Sequence, residues 1–188
     1  MAELPELFTH IAAPTRLGIQ PVPWPHGPAE QFAAGRTAAA EALTSAGSSE
    51  VAVPRDPVGR PVFPPGFAGS ISHTEHLAVA AVVPGAEAVG VDVENAIVTD
   101  RMGRFTFRRR ERQDLLVPDG RYVPAELFVA KEAAFKALNR IESLGDFVFW
   151  RIELTLSDDV LTASYGGESV PVLVRSRGGL ALAVAIRS

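Results

Sequence analysis

Apolar positions along the chain change their period from segment to segment, and each change predicts an element. Up to about Pro28 prolines interrupt any sustained repeat, which predicts strand and loop. From Ala29 to Ala46, AEQFAAGRTAAAEALTSA brings Phe32, Ala39 and Leu43 round at helical spacing, and Gly47 supplies a stop. The segment VPRDPVGRPVFPPGFAGS is too rich in proline and glycine for a helix, so it predicts a long loop with short extended pieces, a kind of loop that often carries function. Two short apolar runs, LAVAAVV from Leu77 and AVGVDVE from Ala88, flank PGAE and predict adjacent strands in an antiparallel hairpin.

After Asn95 the pattern turns to arginine-rich RMGRFTFRRRERQDLL and then to PAELFVAKEAAFKALNRI, whose Leu127, Ala130, Ala134 and Leu138 form one helical stripe. From Asp146 onward, WRIELTLS, LTASYG, SVPVLVRS and LALAVAIRS are short, β-favouring and bounded by Gly, Asp or Ser, which predicts an antiparallel sheet. LAVAAVV, ending at Val83, is echoed by LALAVAI near the C-terminus; two similar halves or simply alike alanine-rich strands both account for this.

Composition narrows the class. A chain of 188 residues, 47% hydrophobic, supports one core or two small packed halves. No 18-residue apolar run and no basic-then-apolar leader appear, so a soluble cytoplasmic protein is expected, without membrane association. The absence of cysteine removes disulfides and thiolate chemistry. A net charge of -4 argues against general nucleic-acid binding, although arginines cluster between Arg101 and Arg112.

Three groups of residues carry candidate chemistry. Asp92 and Glu94, two apart at the end of an apolar strand, share a face, where a divalent cation would relieve their repulsion; an ordinary strand end turning into solvent reads the same way. Asp92 is expected to face solvent as a ligand and to lie outside the core. Glu132 and Lys136 share a helical face, either as a surface ion pair or as part of a site. The chain has 16 arginines and only 2 lysines, Lys131 and Lys136, which points to phosphate contacts limited by geometry. Ser70, Ser72 and His73 follow the proline loop, where hydroxyls and an imidazole suit phosphate oxygens or a hydrogen-bonded turn. Zinc on His73 and His76 is disfavoured, because His10 and His26 lie far upstream and no cysteine is present.

In this order, GRPVFPPGFAGSISHT, AVGVDVE and ELFVAKEAAFKA resemble the 4′-phosphopantetheinyl transferases of the longer, two-halved class, which includes enzymes of siderophore and peptide-synthase pathways in secondary metabolism. The resemblance spans about Gly59 to Ala137, with a weaker match from Phe32 to Leu43 that includes Arg36. Val129 replaces a small polar residue of the family pattern, and the chain is short for the class.

The resemblance implies a transferase that moves the 4′-phosphopantetheine group of coenzyme A to a serine of an apo acyl or peptidyl carrier protein, releasing adenosine 3′,5′-bisphosphate. It implies Mg2+ or Mn2+ on Asp92, Glu94 and Glu132, and Glu132 as the group accepting the serine proton. Asp92, Glu132 and Lys136 are thus the expected catalytic residues. Arg36, Arg60, Ser72, His73, Lys131 and Lys136 are expected to contact coenzyme A. Glu111 matches an acidic family position of unassigned role. The implied fold is α+β: an N-terminal half over 1–95 and a C-terminal half over 96–188, each a small antiparallel sheet with a helix, and an active site in the cleft of a monomer. The alternatives are a noncatalytic carrier-protein or nucleotide-binding module and another Mg-dependent enzyme acting on nucleotide pyrophosphates.

Overall fold

Alternate side chains of the strand Leu77–Pro84 enter two different cores, and this alternation organises the first part of the chain. In the computed structural model, which describes residues 14–95, 97–139 and 149–188, this strand (β3) lies between β1 (Arg16–Pro21) and β2 (Phe67–His73) in an antiparallel three-stranded sheet. Ala80 and Val82 face helix α1 (Pro28–Ser45), packing with its Ala38, Ala39, Ala42 and Leu43. Val79, Ala81 and Val83 point the other way.

The predicted first helix forms for local reasons. Pro28 starts it without leaving an N–H unbonded, and Glu30 complements the positive end of the helix dipole. Gly47, at φ +86°, ends it, with its N–H on Thr44 O and the Ser48 N–H on Leu43 O, both at 3.0 Å.

The second sheet contains β4 (Ala88–Glu94), β5 (Glu153–Ser157), β6 (Val160–Tyr165), β7 (Glu168–Arg177) and β8 (Leu180–Arg187), in the order β4-β8-β7-β6-β5. As the sequence predicts, β5 to β8 form an antiparallel meander. Its tight turns carry Asp158-Asp159, Gly166-Gly167 and Gly178-Gly179, all at positive φ, the geometry that matches strand twist in two-residue hairpins. Residues 146–148, at the head of that stretch, lie outside the described residues. Helix α4 (Pro124–Leu138) covers the outer face of this sheet, and its predicted stripe of Leu127, Ala130, Ala134 and Leu138 is buried there. The short helices α2 (Asp100–Thr106) and α3 (Arg109–Asp114) carry most of the arginine cluster.

Between the sheets, Val89, Val91 and Val93 of β4 and Leu182 and Val184 of β8 pack against Leu77, Val79, Ala81 and Val83 of β3. Each valine or leucine buried there contributes about 1.5–3 kcal/mol. The layers therefore run helix, sheet, sheet, helix.

One strand expectation is corrected. β3 and β4 do not form a hairpin: β3 pairs with β1 and β2, whereas β4 pairs with β8, Ala88 standing opposite Arg187. Both runs are buried almost throughout, so they lack the polar alternation that would mark a one-sided hairpin, and PGAE carries the chain from one sheet to the other.

A local arrangement recurs in both sheets. Leu77 to Ala80 and Leu182 to Ala185 both read LAVA, and the last alanine of each stands opposite a glycine, Gly18 of β1 and Gly90 of β4. Each glycine lies under a helix: a Cβ added to Gly18 would stand 1.9 Å from Ala38 O, and one added to Gly90 would stand 1.9 Å from Ala133 O. Among the described residues no helix is long and apolar enough to cross a membrane.

Candidate functional site

Because Val89, Val91 and Val93 fill the inter-sheet core, the alternating residues Gly90, Asp92 and Glu94 belong to the face of β4 that looks toward α4. Asp92 is buried rather than solvent-facing, which corrects the sequence expectation. Its Oδ1 accepts two hydrogen bonds, from Ser72 Oγ at 2.7 Å and from Lys136 Nζ at 2.7 Å, and Lys136 also donates to Val91 O at 2.9 Å. The Ser72 hydroxyl, expected on a phosphate, thus belongs to Asp92. The contact also ties the edge of one sheet to the edge of the other, since Ser72 lies in β2.

Glu132 lies on α4, half-buried beside the same group. Its carboxyl is pushed up to about 7, chiefly by burial and then by the charges of Asp92 and Glu94, against the opposing pull of Lys136. Glu94 Oε1 accepts the Asn95 N–H at 2.8 Å. Asp92, Glu94 and Glu132 together offer carboxylate oxygens, a donor chemistry that suits a hard divalent cation. Even so, among the described residues no group of three His, Cys, Asp or Glu side chains is arranged to grip a metal ion. In this arrangement the charge beside Asp92 is neutralised by the ammonium of Lys136.

A second, basic site lies on the opposite side of β2. Phe32, 40% exposed and so not part of the helix core, sits between two guanidinium groups, Arg36 at 4.6 Å and Arg55 at 4.3 Å from its ring centre. These residues, with Gln31, Gly35 and His73, line a pocket of about 250 Å³. Arg36 Nε is buried there without a hydrogen-bond partner, and burial followed by the Arg55 charge lowers the affinity of Arg36 for its proton. A buried unpartnered guanidinium donor beside a second guanidinium is an unfavourable arrangement that an anion would relieve. Ser72 and His73, adjacent in β2, alternate between the two sites: the serine serves Asp92 and the histidine the arginine pocket.

Arg55 was not singled out by sequence reasoning. Its bridge to Pro61 is local, but the approach of its guanidinium to Phe32 of α1 belongs to the tertiary fold and leaves no trace in PRDPVGRP. Arg60, which was singled out, is instead held to Asp56 four residues earlier, with Nε 2.8 Å from Oδ2, and it stays exposed.

Lys131 is also placed away from the expected coenzyme contacts. Its ammonium is fully buried and donates to Glu111 Oε2 at 2.7 Å and to the carbonyls of Thr106, Phe149 and Ile152 at 2.9–3.2 Å. Burial pulls the lysine below its usual range, and Glu111 opposes that pull. Glu111 in turn accepts the N–H groups of Arg108 and Leu154 at 2.7 and 2.8 Å. The two lysines of one helix therefore serve two separate groups.

His26 stacks edge-on against His76, with ring centres 4.4 Å apart, although the two are remote in sequence. His10 lies outside the described residues.

A search of curated proteins found no match to the chain. Residues 29–83, from the first turn of α1 through the proline loop with Arg55 and β2 to Val83 of β3, match the family model of the 4′-phosphopantetheinyl transferase N-terminal domain.

Proposed function

We propose that the protein transfers the 4′-phosphopantetheine group of coenzyme A to a serine hydroxyl of an acyl or peptidyl carrier protein. The observation that carries this reading is the placement of Ser72 and His73 on successive positions of β2, one at a carboxylate group and the other at a guanidinium pocket. Coenzyme A has a phosphate monoester and a diphosphate joined through one ribose, so it needs two neighbouring sites of this kind. In this reading the 3′-phosphate takes the unpartnered Arg36 Nε, with Arg55 and His73 beside it. The active site then lies between two similar sheet-and-helix halves of one chain, which the recurrent LAVA register supports.

Asp92, Glu94 and Glu132 are the residues that would hold Mg2+ or Mn2+; when bound, such an ion neutralises diphosphate charge. Lys136, whose ammonium lies on Asp92 Oδ1, would lend that charge to a diphosphate oxygen. Glu132, on α4 beside Asp92 and Lys136, is the residue that would accept the serine proton. The serine oxygen bonds to the phosphorus that carries pantetheine, the bond from that phosphorus to the bridging oxygen breaks, and adenosine 3′,5′-bisphosphate leaves. The serine proton passes to Glu132. As in other phosphoryl transfers, positioning and charge neutralisation supply most of the rate. We assign the reaction to the cytoplasm, where coenzyme A and carrier proteins meet, and to a monomer.

The test is incubation of the purified protein with coenzyme A, Mg2+ and apo-carrier proteins of fatty-acid, polyketide and peptide-synthase type. A carrier mass gain equal to phosphopantetheine is expected, and it should be lost in Asp92→Asn. Bisphosphate release without carrier modification would indicate a pyrophosphate hydrolase. Coenzyme binding without either product would indicate a noncatalytic module.

A further inference from the structure

We infer that Lys136 is a built-in counter-cation of the carboxylate group, and that a divalent metal ion must displace its ammonium from Asp92 in order to bind. The inference rests on the proposed metal role of Asp92, Glu94 and Glu132 and adds a determinant of how tightly that group takes its ion.

The argument starts from one oxygen. Asp92 Oδ1 receives both the Ser72 hydroxyl and the Lys136 ammonium, each at 2.7 Å. The ammonium is anchored from a second side by Val91 O at 2.9 Å, so its position is set by two oxygens. Asp92 is 7% exposed, and a carboxylate removed from water to that extent needs a cation close by. Lys136 meets that need with its ammonium 2.7 Å from Asp92 Oδ1.

The recurrence between the sheets shows that this contact occupies a fixed architectural position. Gln20 stands opposite Ala78 in the first LAVA run as Asp92 stands opposite Ala183 in the second. Gln20 donates to Glu41 of α1, just as Asp92 accepts from Lys136 of α4. The fold therefore bonds strand to helix at this place in both sheets, and it does so in the first sheet without any cation. What is particular to the second sheet is the charge: the strand residue is an anion and its helix partner a cation. An ammonium in that position satisfies Asp92 while repelling any second cation. A diphosphate would offer the ammonium other oxygens and leave the Asp92 carboxylate without its counter-cation.

The competition is read from metal affinity in the absence of coenzyme. Mn2+ binding is measured by calorimetry on wild type, Lys136→Met and Ser72→Ala at one pH. Lys136→Met keeps the length and apolar body of the side chain but removes the charge, and is expected to bind Mn2+ about tenfold more tightly than wild type. Ser72→Ala removes an equally short bond to the same oxygen without removing charge, and should stay within about threefold of wild type. Equal or weaker binding by Lys136→Met overturns the inference, as does an equal gain in both variants, which would make the effect one of carboxylate freedom rather than charge.

Lys136→Gln replaces Lys136→Met if the latter does not fold, as judged by circular dichroism. Mn2+ binding by wild type without any gain in the variant overturns only the competition. Failure of wild type and of every folded variant to bind Mn2+, with or without coenzyme A, overturns the metal role of the carboxylates as well.

Discussion

Lys131 Nζ stands 2.7 Å from Glu111 Oε2, and neither side chain reaches solvent beyond 1% of its surface. Around this pair the carbonyls of Thr106, Phe149 and Ile152 complete the shell of the ammonium. One lysine of α4 thereby ties together the end of α2, the start of α3 and the entry to β5. Lys131→Met is expected to lower the unfolding free energy by about 3–5 kcal/mol, because Glu111 would be left buried and unpaired. Lys131→Met combined with Glu111→Gln should recover part of that loss, since a neutral amide still accepts an N–H. Urea denaturation checks both, and a loss below about 1 kcal/mol for the single variant would rule out the structural role.

Glu132 ties stability to pH. Its folded-state carboxyl, at about 7, lies above the ordinary 4.5, so the folded protein holds a proton that the unfolded chain has given up. This contribution is fully present below pH 4.5, declines as pH rises toward 7 and is absent above it. The difference in Tm between wild type and Glu132→Gln should therefore change across that window and flatten on either side. A difference constant from pH 4 to 8 would refute it.

Arg36 has a buried Nε without a partner, so its removal should weaken ligand binding more than it weakens the fold. Arg36→Ala is expected to raise the KM for coenzyme A about tenfold to a hundredfold, the range of a hydrogen bond to a charged group. The apo protein should melt no lower than wild type. Dephospho-coenzyme A should discriminate little between the two proteins, and an equal loss with both coenzymes would detach Arg36 from the 3′-phosphate.

Gly90 brings α4 down onto β4, where a Cβ would stand 1.9 Å from Ala133 O and 2.8 Å from Ala137 N. Gly90→Ala should cost about 3 kcal/mol and displace Glu132 and Lys136 from Asp92, so kcat should fall in the protein that remains folded. Thermal melts and single-turnover rates together check this; an unchanged Tm would mean that the helix shifts easily.

Arg108 is committed to Glu153 and to the carbonyls of Trp150 and Arg151, whereas Arg109 and Arg110 at the start of α3 are exposed. If the basic segment docks an acidic carrier helix, Arg109→Glu with Arg110→Glu should raise the carrier KM and leave that of coenzyme A unchanged. Wild-type carrier KM should also rise with salt, as screening shortens to about 8 Å at physiological ionic strength and below that at higher salt. A carrier KM insensitive to both changes would leave these arginines as solvated surface.

Local pattern determined much of this protein. The periods of α1 and α4, the glycine and aspartate turns of the β5–β8 meander, and the common face of Asp92 and Glu94 all follow from residues within a few positions of one another, where backbone geometry sets the direction of each side chain. Motif order also pointed to the family whose N-terminal domain model matches residues 29–83. Partner choice was decided only by the tertiary structure. β4 left β3 for β8, a strand 87 residues further on by the pairing of Glu94 with Ala181 at its nearest, because a doubly buried apolar strand carries no mark of its neighbour. Lys131 and Lys136, five positions apart on one helix, were parted by Glu111 and Asp92, and Arg55 joined Arg36 across a ring that helical spacing alone would place in the core. A charge takes the partner that desolvation and long-range packing bring to it, and neither acts within the span over which a sequence repeats.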